Sequence, residues 1–236
     1  AIDGNWQTAT PVSGSFEKLL NIDSLAAGTH RAELAGIDAS GHLLVSEPYF
    51  FDVELNFQRV AFVEDPIGDD LGPLGIYQYP IEETFDEKQC DIKSLEVLTA
   101  GSNIQLVFKM NSPISTSWGP QNGFDHVTFY IYFQMPDSTS EVNIMPKQNS
   151  TLPDGMTWDY FSQIGGWINF YYSSKDADRD KPGTSMVPGP DISIDKNAQT
   201  ITFTWSGDSF NAPPTVRGTK IYAATYDYDG TILIST

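Results

Sequence analysis

A single cysteine, Cys90, stands in 236 residues. One cysteine excludes an internal disulfide and a thiolate metal cluster, and the expected role of Cys90 is that of a small buried apolar residue. Basic residues are scarce as well: 13 Lys and Arg face 31 Asp and Glu, for a formal net charge of -18. A surface of that sign repels phosphate backbones and anionic headgroups, which excludes nucleic acid and acidic membrane surfaces as partners and favours divalent cations and neutral ligands. No apolar run approaches the roughly 20 residues that span a bilayer, so membrane insertion by a helix is not expected, and no charged-then-apolar leader opens the chain. An exported parent protein is expected to carry its signal outside this stretch. The three histidines, His30, His42 and His126, show no His-x-x-x-His spacing. Nucleophile elbow, P-loop and dinucleotide fingerprint are all missing. Glycoside hydrolysis needs two carboxylates about 5–9.5 Å apart across a sugar, and among so many acids spacing alone neither locates nor excludes such a pair.

What is present is strand signal. Alternating, β-branched and aromatic runs recur between Gly, Pro, Asn and Asp clusters, as at His30–Ile37, Tyr49–Leu55, Ile104–Met110, His126–Phe133, Trp167–Tyr172, Thr200–Trp205 and Lys220–Tyr226. Period two with turn punctuation predicts an all-β chain built as an antiparallel sandwich. The best short helix candidate is Phe16–Leu20, which a bulged strand explains equally well. Asp38-Ala-Ser-Gly41 reads as a turn joining His30–Ile37 to Leu43–Leu55 in a hairpin. Residues 1–56 are too short for an immunoglobulin-like sandwich of about seven strands and roughly 100 residues. Their spacing, Gly28-x-His30, Asp38-x-x-Gly41 and Phe51-x-Val53, resembles the closing hairpin of an immunoglobulin-like or fibronectin-type module. The expected division is therefore a remnant of such a module over 1–56 and a β-sandwich over 57–236.

Two acidic segments invite cations. Glu64 to Pro80 sets Asp65, Asp69 and Asp70 among three glycines and three prolines, a composition that forbids regular helix or central strand. Acidic oxygens with exposed carbonyls suit calcium, which takes roughly six to eight oxygens at about 2.3–2.6 Å; the plainer alternative is a solvated turn whose Asp side chains cap their own backbone. In Asp176-Ala-Asp-Arg-Asp-Lys-Pro-Gly183 the first three acids follow calcium-loop spacing, but Lys181 and Val187 occupy the places of the loop's Gly and Glu. That segment reads more simply as a solvated turn. Trp118 and Trp158 stand beside Gly, Pro and Asp, in loops where a ring can meet the C–H face of a pyranose or cover the edge of the core. Trp205 alternates with Ile201 and Phe203 and is a core candidate, and Tyr77 and Tyr79 are expected to pack on the core beside the acidic loop.

The acidic segment also carries a resemblance. Asp65-Pro-x-Gly-Asp-Asp-x-Gly-Pro-x-Gly-x-Tyr-x-Tyr-Pro80 is similar to the opening signature of the glucodextranase C-terminal domain family. Phe85 and Asp91-Ile92, then Trp118-Gly-Pro-Gln-Asn-Gly-Phe124, Tyr130-Ile-Tyr132 and Gly166-Trp167, follow in that family's order. The resemblance spans roughly 60 to 230, with Tyr132-Phe-Gln134 standing where the family's strand usually continues with Asp. It implies a DOMON-like β-sandwich, a non-catalytic module that binds carbohydrate or holds a secreted amylolytic, pullulanase or glucodextranase-type enzyme at the cell surface, as part of a larger multidomain chain. Its expected partner is an α-glucan-like polysaccharide or a cell-envelope glycan, with attachment to the cell surface or S-layer without a soluble sugar as the alternative. Taken with the loop chemistry, it makes Asp65, Asp69, Asp70 and Asp91 candidate ligands of a structural calcium, and Trp118, Asn122, Trp158 and Trp167 candidate carbohydrate contacts, in an extracellular protein.

Overall fold

The computed structural model describes residues 1–12, 15–17, 25–72 and 74–227. Its first strands are short: β1 (Thr10–Val12) pairs with β2 (Ser15–Glu17), β3 (Gly28–Ala32) with β6 (Tyr49–Val53), and β4 (Ala35–Ile37) with β5 (Leu43–Val45). The helix candidate at Phe16–Leu20 therefore begins in a strand, while its last three positions lie outside the described residues. The expected hairpin forms across Asp38–Gly41, where the Asp38 carboxylate accepts the Ser40 and His42 amides at 2.8 and 2.9 Å. It is nested rather than continuous, because the run His30–Ile37 divides into β3 and β4. A small core of Ile2, Leu25 and Val53 serves these strands.

Next come β7 (Gln58–Glu64), β8 (Ile92–Ala100), β9 (Asn103–Met110), β10 (Val127–Gln134), β11 (Ile144–Met145), β12 (Ser150–Thr151), β13 (Tyr160–Gly165), β14 (Ile168–Ser173), β15 (Thr184–Ser185), β16 (Asp191–Asp195), β17 (Thr200–Trp205) and β18 (Lys220–Asp227). All but β11 and β12, which pair with each other, form two five-stranded sheets, ordered β16-β17-β9-β8-β7 and β15-β14-β13-β10-β18, every pairing antiparallel. The fold is an all-β sandwich, as the period-two pattern predicts. Ile104, Leu106, Phe108 and Met110 of β9 point inward with Ile201, Phe203 and Trp205 of β17, each separated from the next by a residue on the opposite face. From β10, Val127, Phe129, Ile131 and Phe133 meet them. Phe129 lies 5.0 Å from Phe108 and 5.1 Å from Phe203 by ring centroid, and Phe133 lies 4.9 Å from Trp205.

Register determines which loops share an end. Val127 opposes Asp227, Phe129 opposes Ile164, and Ile92 opposes Met110. The loops after β7 and β9 and the turn between β13 and β14 consequently gather at one end of the sandwich, together with the end of β18. Phe133 opposes Tyr160 at the other end, where the chain from Met135 to Asp159 folds over the outer face of the β10–β13 sheet. There Trp158, Tyr132, Phe161, Met145 and Leu152 make a second core.

Trp158 is fully buried in that second core, and its indole N–H donates to the Ile144 carbonyl at 2.9 Å. This corrects the expectation of a carbohydrate contact at this position. The outer sheet face already carried Tyr132 and Phe161, and covering them removes more apolar area from water than leaving the indole at a loop tip. Trp158→Ala is expected to cost about 3–5 kcal/mol of stability, read by chemical denaturation.

Candidate functional site

At the loop-bearing end, the segment from Asp65 to Asp91 runs from β7 to β8, and hydrogen bonds near both of its ends fasten it. The Asp65 amide donates to the Lys93 carbonyl at 3.1 Å, at the bulge that interrupts pairing between Ile92 and Ser94. The Gly68 amide donates to Asp91 Oδ2 at 2.9 Å, and Asn111 Nδ2 donates to the same oxygen at 2.8 Å. Gly68 holds φ of +88°, a left-handed conformation that favours glycine. Asp91 is buried, and its other oxygen, Oδ1, has no hydrogen-bond partner.

The carboxylates of this loop feel one another. Burial is the main cause that pushes the Asp91 carboxyl above its ordinary range; hydrogen bonds from Asn111 and Gly68 oppose the rise, and Asp70 and Asp69 add to it. Asp65 is raised in the same direction by burial, then by Asp69 and Asp91. The four acids named by the sequence thus lie within electrostatic reach of one another. Among the described residues, no group of three or more His, Cys, Asp or Glu side chains is arranged to hold a metal ion. The second acidic segment differs: Asp178 Oδ1 accepts the amides of Asp180 and Lys181, both at 2.8 Å, which holds its carboxyl below the usual range. It is a self-capped surface turn.

Beside the acidic loop stands an aromatic cluster. Trp118 and Trp167 are half-buried and stacked, with ring centroids 6.3 Å apart and planes 28° apart. The Trp118 backbone N–H donates to Asp125 Oδ2 at 2.7 Å, and its indole N–H donates to Thr84 Oγ1 at 3.2 Å. Beneath it lies His126, fully buried, with its ring 4.1 Å from that of Trp118 and 4.3 Å from that of Phe85. Neither nitrogen of His126 makes a hydrogen bond, and Nε2 lies 3.4 Å from Asp125 Oδ1. Cys90 is buried as expected, its Sγ directed at the His126 carbonyl, and burial pushes the thiol well up.

Asn122 has a structural position at this end. Its amide group donates to the carbonyls of Gly165 at 2.7 Å and Ile168 at 3.0 Å, while its backbone N–H donates to Gly166 O at 2.8 Å. It clasps the turn that carries Trp167. Gly166 permits the close approach, since a Cβ there would lie 2.6 Å from the Phe124 carbonyl oxygen. The structure therefore brings together Asp65, Asp69, Asp70, Asp91, Trp118, Asn122 and Trp167, and leaves Trp158 at the far end. Sequence reasoning had no signal for Asn111 as a partner of Asp91, or for Phe85 and His126 as the bed under Trp118.

Comparison with known families gives one match. The family described as the C-terminal binding-module, SLH-like, of glucodextranase matches residues 60–234, and the chain belongs to that family. No curated protein matches the chain. Among the described residues no helix is long and apolar enough to cross a membrane.

The raised carboxyls fix a pH dependence. A folded-state value above the unfolded one contributes stability that is fully present below the ordinary aspartate range, about 4, and is lost as pH rises through the raised value. With chelator present, Asp91→Asn is expected to melt at or above the wild-type temperature at pH 7, and the gap is expected to close toward pH 4. Thermal melts across that range check this; a variant less stable at pH 7 by the same margin as at pH 4 contradicts it.

Proposed function

We propose that this member of the glucodextranase C-terminal binding-module family is a non-catalytic carbohydrate-binding accessory module of an extracellular glycoside hydrolase, recognising an α-glucan-like polymer or a cell-envelope glycan. Family membership over 60–234 is the observation that carries the reading. The stacked pair Trp118 and Trp167 supports it, because half-exposed rings held in fixed orientation meet the C–H face of a pyranose at low entropic cost. The negative surface supports it too, since neutral hydroxyls escape the repulsion that anions meet. The family description also reads SLH-like, which favours attachment to the cell surface as a second reading. Residues 1–56 we assign as the closing strands of an immunoglobulin-like module. Leu34, Ile37, Leu43, Leu44 and Val45, all exposed in and beside the β4–β5 pair, are the apolar side chains that further strands of such a module would cover.

The same reading includes a structural calcium at Asp91, toward which Asp65, Asp69 and Asp70 would draw on binding, since without the ion these acids are not arranged to hold one. The buried, unpartnered Asp91 Oδ1 supports it, because such an oxygen costs free energy until a donor or cation meets it. So does the mutual repulsion of these carboxylates, since a hard cation with oxygen preference would offset it. When bound, calcium supplies positive charge that ties the loop to the start of β8; the protein supplies the rigid positions of Asp91, Asn111 and Gly68.

Isothermal titration against pullulan, dextran, starch and cell-wall glycans tests the function. Measurable heat with a neutral glucan is expected, and silence on every glycan together with retention on isolated cell envelopes would transfer the assignment to surface attachment. For the metal, calcium at about 100 times Kd is expected to stabilise the wild type by about 2.7 kcal/mol and to leave Asp91→Asn unchanged. Equal melting temperatures in calcium and in chelator would remove calcium from the account.

A further inference from the structure

An open cavity of the loop-bearing end, about 680 Å³, lies between the Gly68–Leu71 turn and the stretch from Tyr77 to Lys88. That volume falls within the roughly 300–1,000 Å³ typical of ligand sites. Three rings line it: Tyr77, Tyr79 and Phe85. Their packing is unequal, for Tyr79 is half-buried against the sandwich core while Tyr77 is 40% exposed. The core role expected for both tyrosines therefore holds only for Tyr79.

Each tyrosine is fixed by its hydroxyl. Tyr77 donates to Asp227 Oδ2 at 2.5 Å, at the end of β18, and Tyr79 donates to Asp70 Oδ2. The two rings meet edge to face at 5.3 Å. Phe85 continues the wall, with its ring 5.3 Å from that of Trp118. Phe85 is thus shared, lining the cavity on one side and packing against Trp118 of the stacked pair on the other. Such rings need no reordering when a ligand arrives.

The charge of the lining decides what kind of ligand fits. Asp70, Glu82 and Glu87 contribute carboxylates and Lys88 alone contributes an ammonium group. Carboxylates accept hydrogen bonds from hydroxyls and repel carboxylate, sulfate and phosphate groups. Ile81, fully exposed at the lip, adds apolar surface next to the polar wall. Fixed aromatic faces, acceptor-rich edges and net negative charge together match a polyhydroxylated ligand without negative charge.

We infer that this groove is the glycan-binding site of the module, extending the tryptophan platform along Tyr77, Ile81 and Phe85, and that it selects neutral or cationic pyranosyl chains over anionic ones. The inference rests on the carbohydrate-binding reading and adds to it a location and a charge rule. Ile81 and Tyr77 expose the lip of the groove to solvent.

Titration calorimetry on the intact chain separates the two claims. The ligands are an α-glucan oligosaccharide, a chitosan oligosaccharide and polygalacturonate, and the proteins are wild type, Tyr77→Ala, Ile81→Asp and Trp118→Ala. Circular dichroism confirms the fold of each variant, and Ile81, being fully exposed, is the substitution least able to disturb it. Wild type is expected to bind the neutral or cationic oligosaccharide and not polygalacturonate, with affinity falling at least about tenfold, or about 1.4 kcal/mol, in Tyr77→Ala and Ile81→Asp. If Trp118→Ala abolishes binding while both groove variants retain it, the carbohydrate reading stands and the groove assignment falls. Preference for polygalacturonate overturns the charge rule, and absence of binding by any of the three ligands overturns the groove and the reading together.

Discussion

The aromatic seam between the two sheets is the contact on which everything else depends. Phe108, Phe129 and Phe203 meet at centroid distances of 5.0–5.8 Å, and Phe124 joins them from the loop before β10, 5.8 Å from Phe129. Burying these rings fixes the register of β9, β10 and β17, because a slip of one residue would turn each of them to the opposite face of its sheet and out of the seam. Register in turn decides which loops lie together. Phe124 sits two residues from both Asn122 and His126, so the seam that closes the core also positions the aromatic bed under Trp118. Packing and site are linked through a few residues of one loop.

Among the described residues, most of the buried polar atoms without hydrogen-bond partners lie at the loop-bearing end. Asp91 Oδ1, Asp125 Oδ1 and both nitrogens of His126 are buried without hydrogen-bond partners, whereas Asn122, Gln89 and Tyr79 are fully engaged by backbone or by neighbouring side chains. A buried group without a partner costs free energy that a bound species can return. At the opposite end Gln134 Oε1 is the one such atom among the described residues, and the Trp158 indole is paired with Ile144. The two ends of the sandwich thus differ in degree: one gathers several buried groups without hydrogen bonds beside an acidic loop, and the other is closed by its own aromatic cover.

Much of the architecture was legible. Thr200–Trp205 alternates threonine with Ile201, Phe203 and Trp205, and the strand has those bounds; Ile104–Met110 falls short of β9 by one residue. The family resemblance was carried by the long Asp-Gly-Pro and Trp-Gly motifs. Trp158 was misread because its burial depends on a loop folding over the outer face of a sheet, which no local pattern encodes. The division of His30–Ile37 into two strands was equally hidden, since nothing in the apolar run marks the point at which pairing changes partner. Tyr77 and Tyr79, two residues apart on one extended segment, have different fates set by the distant Asp227 and Asp70. Long-range hydrogen bonds of that kind are invisible to spacing.

The central claim is that the end of the sandwich carrying residues 65–91, 117–125 and 165–168 meets a sugar polymer. The most direct test follows backbone amide resonances of isotopically labelled protein while an α-glucan oligosaccharide is added. The account predicts saturable shifts concentrated on Gly68, Tyr77, Ile81, Trp118 and Trp167, with residues 142–158 unmoved. Shifts confined to the Ile144–Trp158 region, or none at saturating glucan, would contradict it.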